Sequence, residues 1–535
     1  MKLKNLFYLF ILALAIPLSF AACSDKDDDP IDNPDPEPGT DEEKKNQYVN
    51  NWIYDELEDL YLWNDKMPSK SSLELNMDPY EFFYLEDGVL YNYGTTTGDR
   101  FSRIEGTHAN LPKSISLEDA QVSSDIGFEY INIQFVDNND QPTGDWAYLV
   151  LYVKKNSNAD KQGLLKRGHL ITKVDDTTIN SSNRFDLLYQ NKSSYKLAIT
   201  DYETMKQIEI IVNKTTSYEE NPIYLDSIYT VGSQTIGYIV YNSFEAGGET
   251  NLPYDVELSK IFTKFQDKGV NNVILDLRYN GGGLVRSAQF IASALVPSRS
   301  TDNIFEIKTY NPSIQTELDK LPDTNTTKKS WMYDYFVDKI KNSKGQELAD
   351  IPNLGDQLKN IYIIGTGFTA SASEMTINTL RPYMKPGSDV ILVGEQTTGK
   401  NVGSWAIYED NKEDNTYVMW PIIFKSHNKL YPAKESSAYA QGFTPDISGD
   451  DLGSLLYEGR PLKKLGDKEE SLLSLAIADI TGEKSYTTSF TKTTSSKRFL
   501  VKGSSLEKKR NANQLTVEKE KSTLLKKQLK SLKEE

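Results

Sequence analysis

Cysteine and histidine are nearly absent from this chain. Its 535 residues include one Cys, Cys23, and three His: His108, His169 and His427. A single cysteine excludes an intramolecular disulfide framework and any cysteine-clustered zinc site. No two of the histidines lie within 50 residues of each other, which excludes a local histidine metal motif. Positive charge is also scarce. Against 77 Asp and Glu stand 60 Lys and Arg, a net charge of −17, which argues against a nucleic-acid binder, whose affinity needs concentrated Lys and Arg. The longest apolar run, residues 6–22, is short for a membrane span and is interrupted by Pro17. What remains is 38% hydrophobic, 11% aromatic and 26% charged residues, ample for a packed core. At about 150 residues per domain, the length predicts three or four folded units.

The amino terminus reads as an address. Lys2 and Lys4 precede the apolar run, which ends in Phe20-Ala21-Ala22-Cys23. A basic start, a short apolar stretch and small residues before the break form a secretory signal over 1–22. The chain's only Cys stands where charge begins, which looks like a bacterial lipobox with Cys23 as the lipidated residue. Residues 24–43 then carry ten acids against Lys26. Ser24-Asp25-Lys26-Asp27-Asp28-Asp29 resembles the acidic signal that sends some lipoproteins to the cell surface, and it reads equally as a simple linker. With Pro30, Pro34, Pro36 and Pro38, residues 23–44 are expected to form an acidic, Pro-rich tether.

Hydrophobic periodicity divides the rest. Val49, Trp52, Ile53, Leu57, Leu60 and Tyr61 follow helical spacing and open a small helical N-terminal domain, 45–115, whose expected role is packing. A β-rich stretch follows over 116–215, with a short helix at 159–165 and a second expected at 184–189. Its order of elements, with Ile126-Gly127-Phe128 at the start, resembles a PDZ domain. In that resemblance these three residues form the loop that binds a peptide's terminal carboxylate while the peptide adds a strand. From 216 to 485 buried strands alternate with helices, an α/β pattern, with 300–350 read as an irregular insertion. The Lys-rich residues 486–535 are expected to be a tail.

Three segments of the α/β block could carry chemistry. Ser371-Ala372-Ser373-Glu374 follows a buried strand and a Gly-containing turn, a layout that exposes a nucleophile. The same four residues read as a helix capping box. Gly281-Gly282-Gly283 offers backbone N–H groups suited to an oxyanion, or simply lets a helix and strand approach closely. Lys400, 29 residues beyond Ser371, closes a Gly-rich loop.

Together with Asp276-Leu277-Arg278-Tyr279-Asn280-Gly281-Gly282-Gly283, Gly394-Glu395-Gln396-Thr397-Thr398-Gly399-Lys400 and Gly442-Phe443-Thr444-Pro445-Asp446, these segments resemble the C-terminal processing peptidase (tail-specific protease) family. The resemblance runs from about 125 to 482. It implies a multidomain α/β protein: a crotonase-like β-β-α peptidase core, an inserted or adjacent PDZ domain and the helical N-terminal domain. It implies a Ser-Lys serine endopeptidase with Ser371 as nucleophile and Lys400 as general base. The N–H groups of Gly282 and Ala372 would form the oxyanion hole, with no metal or other cofactor. The Ser–Lys spacing is a few residues longer than the family pattern. Ser404 stands where many members have Gln, so either Ser404 or Glu374 is available to orient Lys400.

The expected partners are protein or peptide substrates and a membrane reached through the lipid anchor, with no nucleic acid. The expected location is the outer membrane, on its periplasmic or surface face. A catalytically silent peptide-binding lipoprotein is the competing reading. A polysaccharide-binding surface protein draws only on the address and on the 32 Tyr, which are spread along the chain.

Overall fold

A computed structural model describes residues 40–106, 124–483 and 498–506, with Lys527, apart from short gaps at 86–87, 96, 138, 191, 202–203, 205, 249, 323, 325–330, 410–414 and 434–435. The leader, Cys23, most of the acidic tether and His108 lie outside the described residues.

The first helix, Asp41–Leu60, begins four residues before the tether was expected to end. Thr40 explains the early start. Its hydroxyl accepts from the Glu43 N–H, and the Glu43 carboxylate accepts from the Thr40 N–H at 2.7 Å. Asp41, Glu42 and Glu43 then sit at the positive end of the helix dipole. The buried stripe Val49, Trp52, Ile53, Leu57 and Leu60 packs on Tyr310, Ile314, Trp405 and Phe424 of the main body. The N-terminal region is tied in further by the strand Arg103–Glu105, antiparallel to Val418–Trp420.

The main body is built on a six-stranded sheet. Its order is Ile447–Ser448, Val390–Gly394, Asn360–Gly365, Asn272–Asp276, Gln234–Tyr241 and Ile223–Val231. All neighbours are parallel except the last pair. A parallel sheet is buried on both faces, and every residue of Asn272–Asp276 is buried. The period of two sorts its side chains. Val273 and Leu275 join one core with helices Pro253–Asp267, Val285–Leu295 and Ala372–Leu380. Ile274 joins the opposite core with helix Ser471–Thr481.

That second core includes Ile131, Ile133, Leu149 and Leu151 of a separate antiparallel sheet. This sheet takes the order Phe499–Ser504, Phe128–Val136, Pro142–Val153, Leu170–Val174, Ser194–Asp201, Lys206–Asn213. Two expectations fail here. Residues 184–189 form turns, not a helix, because Asn180 and Asn183 bond each other's backbone and hold the chain in a loop. The expected C-terminal tail contributes the strand Phe499–Ser504. A third correction concerns 300–350, whose described residues include strands and a helix. Ile304–Tyr310 pairs with Ile422–His427, Pro312–Lys320 is a helix, and Lys339–Lys341 with Glu347–Asp350 is a hairpin.

Candidate active site

Ser371 ends the loop after strand Asn360–Gly365 and starts helix Ala372–Leu380. Its φ of +62° is a conformation that side-chain-bearing residues seldom hold, so neighbours must fix it. They do so from three sides. The Met375 N–H donates to the Ser371 carbonyl at 2.8 Å, and the Ser371 N–H donates to Glu374 Oε2 at 3.0 Å. The preceding loop is stitched to the 277–280 turn: the Ala370 N–H donates to the Asn280 carbonyl, and the Thr369 hydroxyl donates to the Leu277 carbonyl. Ser371 and Glu374 occupy the two positions of a capping pair, yet Ser371 Oγ is buried without a full hydrogen bond among the described residues. The cap therefore leaves the hydroxyl available.

Glu374 joins the serine to the lysine loop. Its Oε2 also accepts the Lys400 backbone N–H at 2.8 Å. Its Oε1 accepts the Gly399 N–H at 2.7 Å and the Thr397 hydroxyl at 2.5 Å. Burial pushes the Glu374 carboxyl up from its ordinary value, and these four hydrogen bonds pull against that. Thr397 in turn exchanges backbone and side-chain bonds with Phe443. Gly442 must be glycine there, since a Cβ would lie 2.0 Å from the Thr397 carbonyl oxygen. Asp446 accepts from the Leu392 N–H and pairs with Arg381 at 2.8 Å. Three of the sequence motifs thus meet at one carboxylate and its loop.

Gly282 supplies the fourth. At φ +107°, a Cβ on it would stand 2.6 Å from Ser371 Cβ and 3.0 Å from its Oγ, so the glycine permits the approach. Its N–H, expected in an oxyanion hole, here donates to Asn280 Oδ1 at 2.9 Å. Asn280 is fully buried, and its amide also donates to the Tyr241 carbonyl at 2.8 Å. Ala372 lies buried at the first position of the helix. Ser404 is buried in strand Val402–Ser404, in register with Ile422.

The N-terminal region reaches this site, which its helical pattern did not suggest. Arg100 donates to the Gly399 carbonyl at 2.7 Å and to the Ala440 carbonyl at 3.1 Å. The Phe101 ring lies 5.1 Å from Lys400 Nζ, within cation–π range. Lys400 itself is 3% exposed.

A buried ionic network sits behind the glycine turn. Arg278 pairs with Asp276, Asp451 and Glu470, and Arg167, from the antiparallel sheet's domain, pairs with Asp451 at 2.8 Å. Burial alone would raise the Asp451 carboxyl; the two guanidinium groups outweigh it and hold it near 2. Arg167 also bonds the Tyr279 hydroxyl, three residues before Gly282. Arg100, Phe101 and Arg167 carry no local sequence pattern that marks them, and Asn280 stands in the 276–283 motif without any sign there of its side chain's role.

Ile126-Gly127-Phe128 opens the antiparallel sheet. The Gly127 N–H, expected to meet a ligand carboxylate, donates to Asp125 Oδ1 at 2.6 Å. Beside it Lys154 is held by Asp125 at 2.7 Å, Glu129 at 2.9 Å and Glu220 at 3.7 Å. Among the described residues no group of three or more His, Cys, Asp or Glu is placed to hold a metal ion.

Comparison with known proteins places these motifs. The family model for peptidase family S41 matches residues 235–448, and that for the peptidase S41 N-terminal domain matches 48–103. A carboxyl-terminal-processing protease of Picosynechococcus is 26% identical over 182 residues, 34% of this chain. The match spans only 33% of that curated relative's length. Among solved structures, an S41 protease from Bacteroides fragilis is similar at a TM-score of 0.58 and 25% identity, over 81% of this chain and 97% of that one. The photosystem II D1 C-terminal processing protease is similar at a TM-score of 0.41 and 15% identity, over 77% and 94%.

Proposed function

This chain belongs to peptidase family S41, and on that premise we propose that it is an exported, lipid-anchored serine endopeptidase with a Ser371–Lys400 dyad. Ser371 Oγ attacks the scissile carbonyl while the neutral Lys400 amine takes its proton. The resulting ammonium protonates the leaving amine, and a water repeats the sequence on the acyl-enzyme. The Ala372 N–H, at the positive end of its helix, receives the oxyanion, and the Gly282 N–H joins it when Asn280 lets go.

One observation carries this reading. A single buried carboxylate, Glu374, holds the main chain of both Ser371 and Lys400, so the nucleophile and base loops are fixed to a common point. Of the two candidates for orienting Lys400, Glu374 acts on its main chain. The antiparallel sheet with its short helix acts as a PDZ-type module next to a crotonase-like core, and it takes peptides by strand addition. Cys23 carries the anchor, which places the body at the outer membrane with envelope or extracellular proteins as substrates.

A catalytically silent peptide binder draws support from two facts: Ser371 is 0% exposed, and the Gly282 N–H is taken. A fluorophosphonate serine probe separates the readings. Labelling of the wild type and not of Ser371→Ala supports the peptidase; no labelling of either supports the silent binder.

A further inference from the structure

The strand Phe128–Val136 directly follows the Ile126-Gly127-Phe128 loop, and its outer edge is where a PDZ-type module would add a peptide strand. That edge is not open. The chain's own C-terminal segment lies along it, antiparallel, with Phe499 opposite Phe135, Leu500 opposite Gln134, Val501 opposite Ile133 and Ser504 opposite Ile131. The seating continues at both ends. The Val136 N–H donates to the Arg498 carbonyl at 3.1 Å. At the other end the Tyr130 N–H donates to Ser505 Oγ at 2.9 Å, and the Ser505 hydroxyl contacts the Tyr130 carbonyl and the Glu129 carboxylate. Phe499 and Leu506, each 3% exposed, enter the same apolar cluster as Ile131 and Ile133.

The direction of the segment matters. It runs toward the Ile126-Gly127-Phe128 loop, as a captured chain end would, but does not stop there: residues 507–535 follow. The loop suits that outcome. Its Gly127 N–H is satisfied by Asp125, and Asp125, Glu129 and Glu220 crowd around Lys154. A ligand's terminal carboxylate would meet three acids there. The seated segment instead offers the Ser505 hydroxyl, which donates to the Glu129 carboxylate.

We propose that the Phe128–Val136 edge is a strand-binding surface whose resident ligand is the chain's own segment 498–506, an internal sequence and not a free carboxyl end. The inference rests on the reading of this domain as a peptide-binding module. Outside peptides gain the edge only when the segment leaves. A tethered ligand acts at an effective concentration of order mM, so it outcompetes a free peptide of equal intrinsic affinity supplied below that level.

The probe is a fluorescent peptide of residues 498–506, made once with a free C-terminal carboxylate and once amidated, and its anisotropy reports binding. The full chain and a chain ending at Glu483 are compared. The shortened chain is expected to bind at least about tenfold more tightly than the full chain, because the tethered competitor is gone. The two forms of the peptide should bind it within about twofold of each other, since no carboxylate site contributes. Equal binding by the full and shortened chains overturns the proposal, as does a strong preference for the free carboxylate.

Because Phe499 and Leu506 are buried, the shortened chain is at risk of misfolding, and a full-length variant guards against that. Gln134→Cys with Leu500→Cys, in a Cys23→Ala background, places one thiol on each strand at directly opposite positions. Mild oxidation should cross-link them and abolish probe binding, and reduction should restore the full-chain level. Failure to cross-link, or undiminished binding by the cross-linked form, overturns the proposal. Serine-probe labelling of Ser371 is read in parallel. Its loss would count against the peptidase reading alone, whatever the edge does.

Discussion

Glu374 holds Lys400 by its backbone: Oε2 accepts the Lys400 N–H at 2.8 Å, and the same oxygen accepts the Ser371 N–H at 3.0 Å. Both oxygens are filled by donors, four in all, inside a fully buried pocket. A carboxamide of the same shape offers one acceptor oxygen and turns two N–H groups toward donors. Glu374→Gln should therefore leave at least one buried backbone N–H unsatisfied, at roughly 1–3 kcal/mol per buried group. We expect kcat to fall about 100-fold or more, with a melting temperature lowered by several degrees. Wild-type kcat in a folded Glu374→Gln protein would show that the carboxylate does not organise the site.

Lys400 is the second test. A guanidinium stays protonated at any pH the fold tolerates, so it cannot accept a proton from Ser371. Lys400→Arg should be as inactive as Lys400→Ala in a peptide hydrolysis assay, although it keeps a long basic side chain beside the Phe101 ring. Activity in Lys400→Arg that still requires Ser371 would assign the base to another group.

How far the sequence could be read depended on how local each feature is. The Ser371 turn with its Glu374 partner three residues on, and the apolar run Val273-Ile274-Leu275 that forms a buried strand, are each contained within a few neighbouring residues. Pattern alone exposes them. The Arg100–Gly399 contact joins positions 299 apart, and an Arg in a loop carries no mark of its destination. Asn280 looked like part of a glycine turn, whereas its side chain holds the Gly282 N–H. Residues 304–310 lie in a polar stretch that reads as irregular, yet Glu306 and Lys308 are buried there, with Lys308 paired to Asp334 and Glu306. The strand Phe499–Ser504 contains Lys502 and Gly503 and takes its partner from more than 360 positions earlier, so composition pointed to a tail.

Arg100 is expected to act as a positioning residue. It clamps the carbonyls of Gly399 and Ala440, one residue before Lys400 and two residues before Gly442. Hydrogen bonds from a charged donor contribute about 1.5–3 kcal/mol, enough to fix a loop. Arg100→Ala should lower kcat by about 10–100-fold with KM nearly unchanged, since the base loop and not the substrate is loosened. Arg100→Lys, which keeps a charge but offers one donor centre, should recover part of the loss. A rise in KM alone would place Arg100 in substrate binding instead.

The lipid anchor is tested by Cys23→Ala. Two acyl chains give stable membrane attachment where one is marginal. The variant should be exported and recovered in the soluble fraction, while the wild type pellets with membranes. A variant that still pellets at high salt would rule out Cys23 as the anchor.

Glu395, in the loop that leads to Lys400, gives a pH test with a fixed sign. Burial pushes its carboxyl up to about 7, with Asp450 and Asp451 adding like-charge repulsion. The native state thus binds a proton that the unfolded chain releases near the ordinary glutamate value. Below that value both states are protonated and Glu395 costs nothing. As pH rises from that value to about 7 the unfolded chain gives up its proton while the native carboxyl, buried beside two acids, still holds one; stability falls over this range and the loss is complete once the native group ionises at about 7. The full shift corresponds to roughly 3 kcal/mol, and solvent screening at a partly exposed group brings this to about 2. Glu395→Gln keeps an acceptor for the Asp451 N–H, which Glu395 Oε1 now accepts at 3.2 Å, and removes the charge. The variant should therefore match the wild type in thermal stability near pH 4.5, exceed it increasingly up to about pH 7, and hold a constant advantage above that. A difference already constant between about pH 4.5 and about pH 7 would mean that Glu395 does not titrate there.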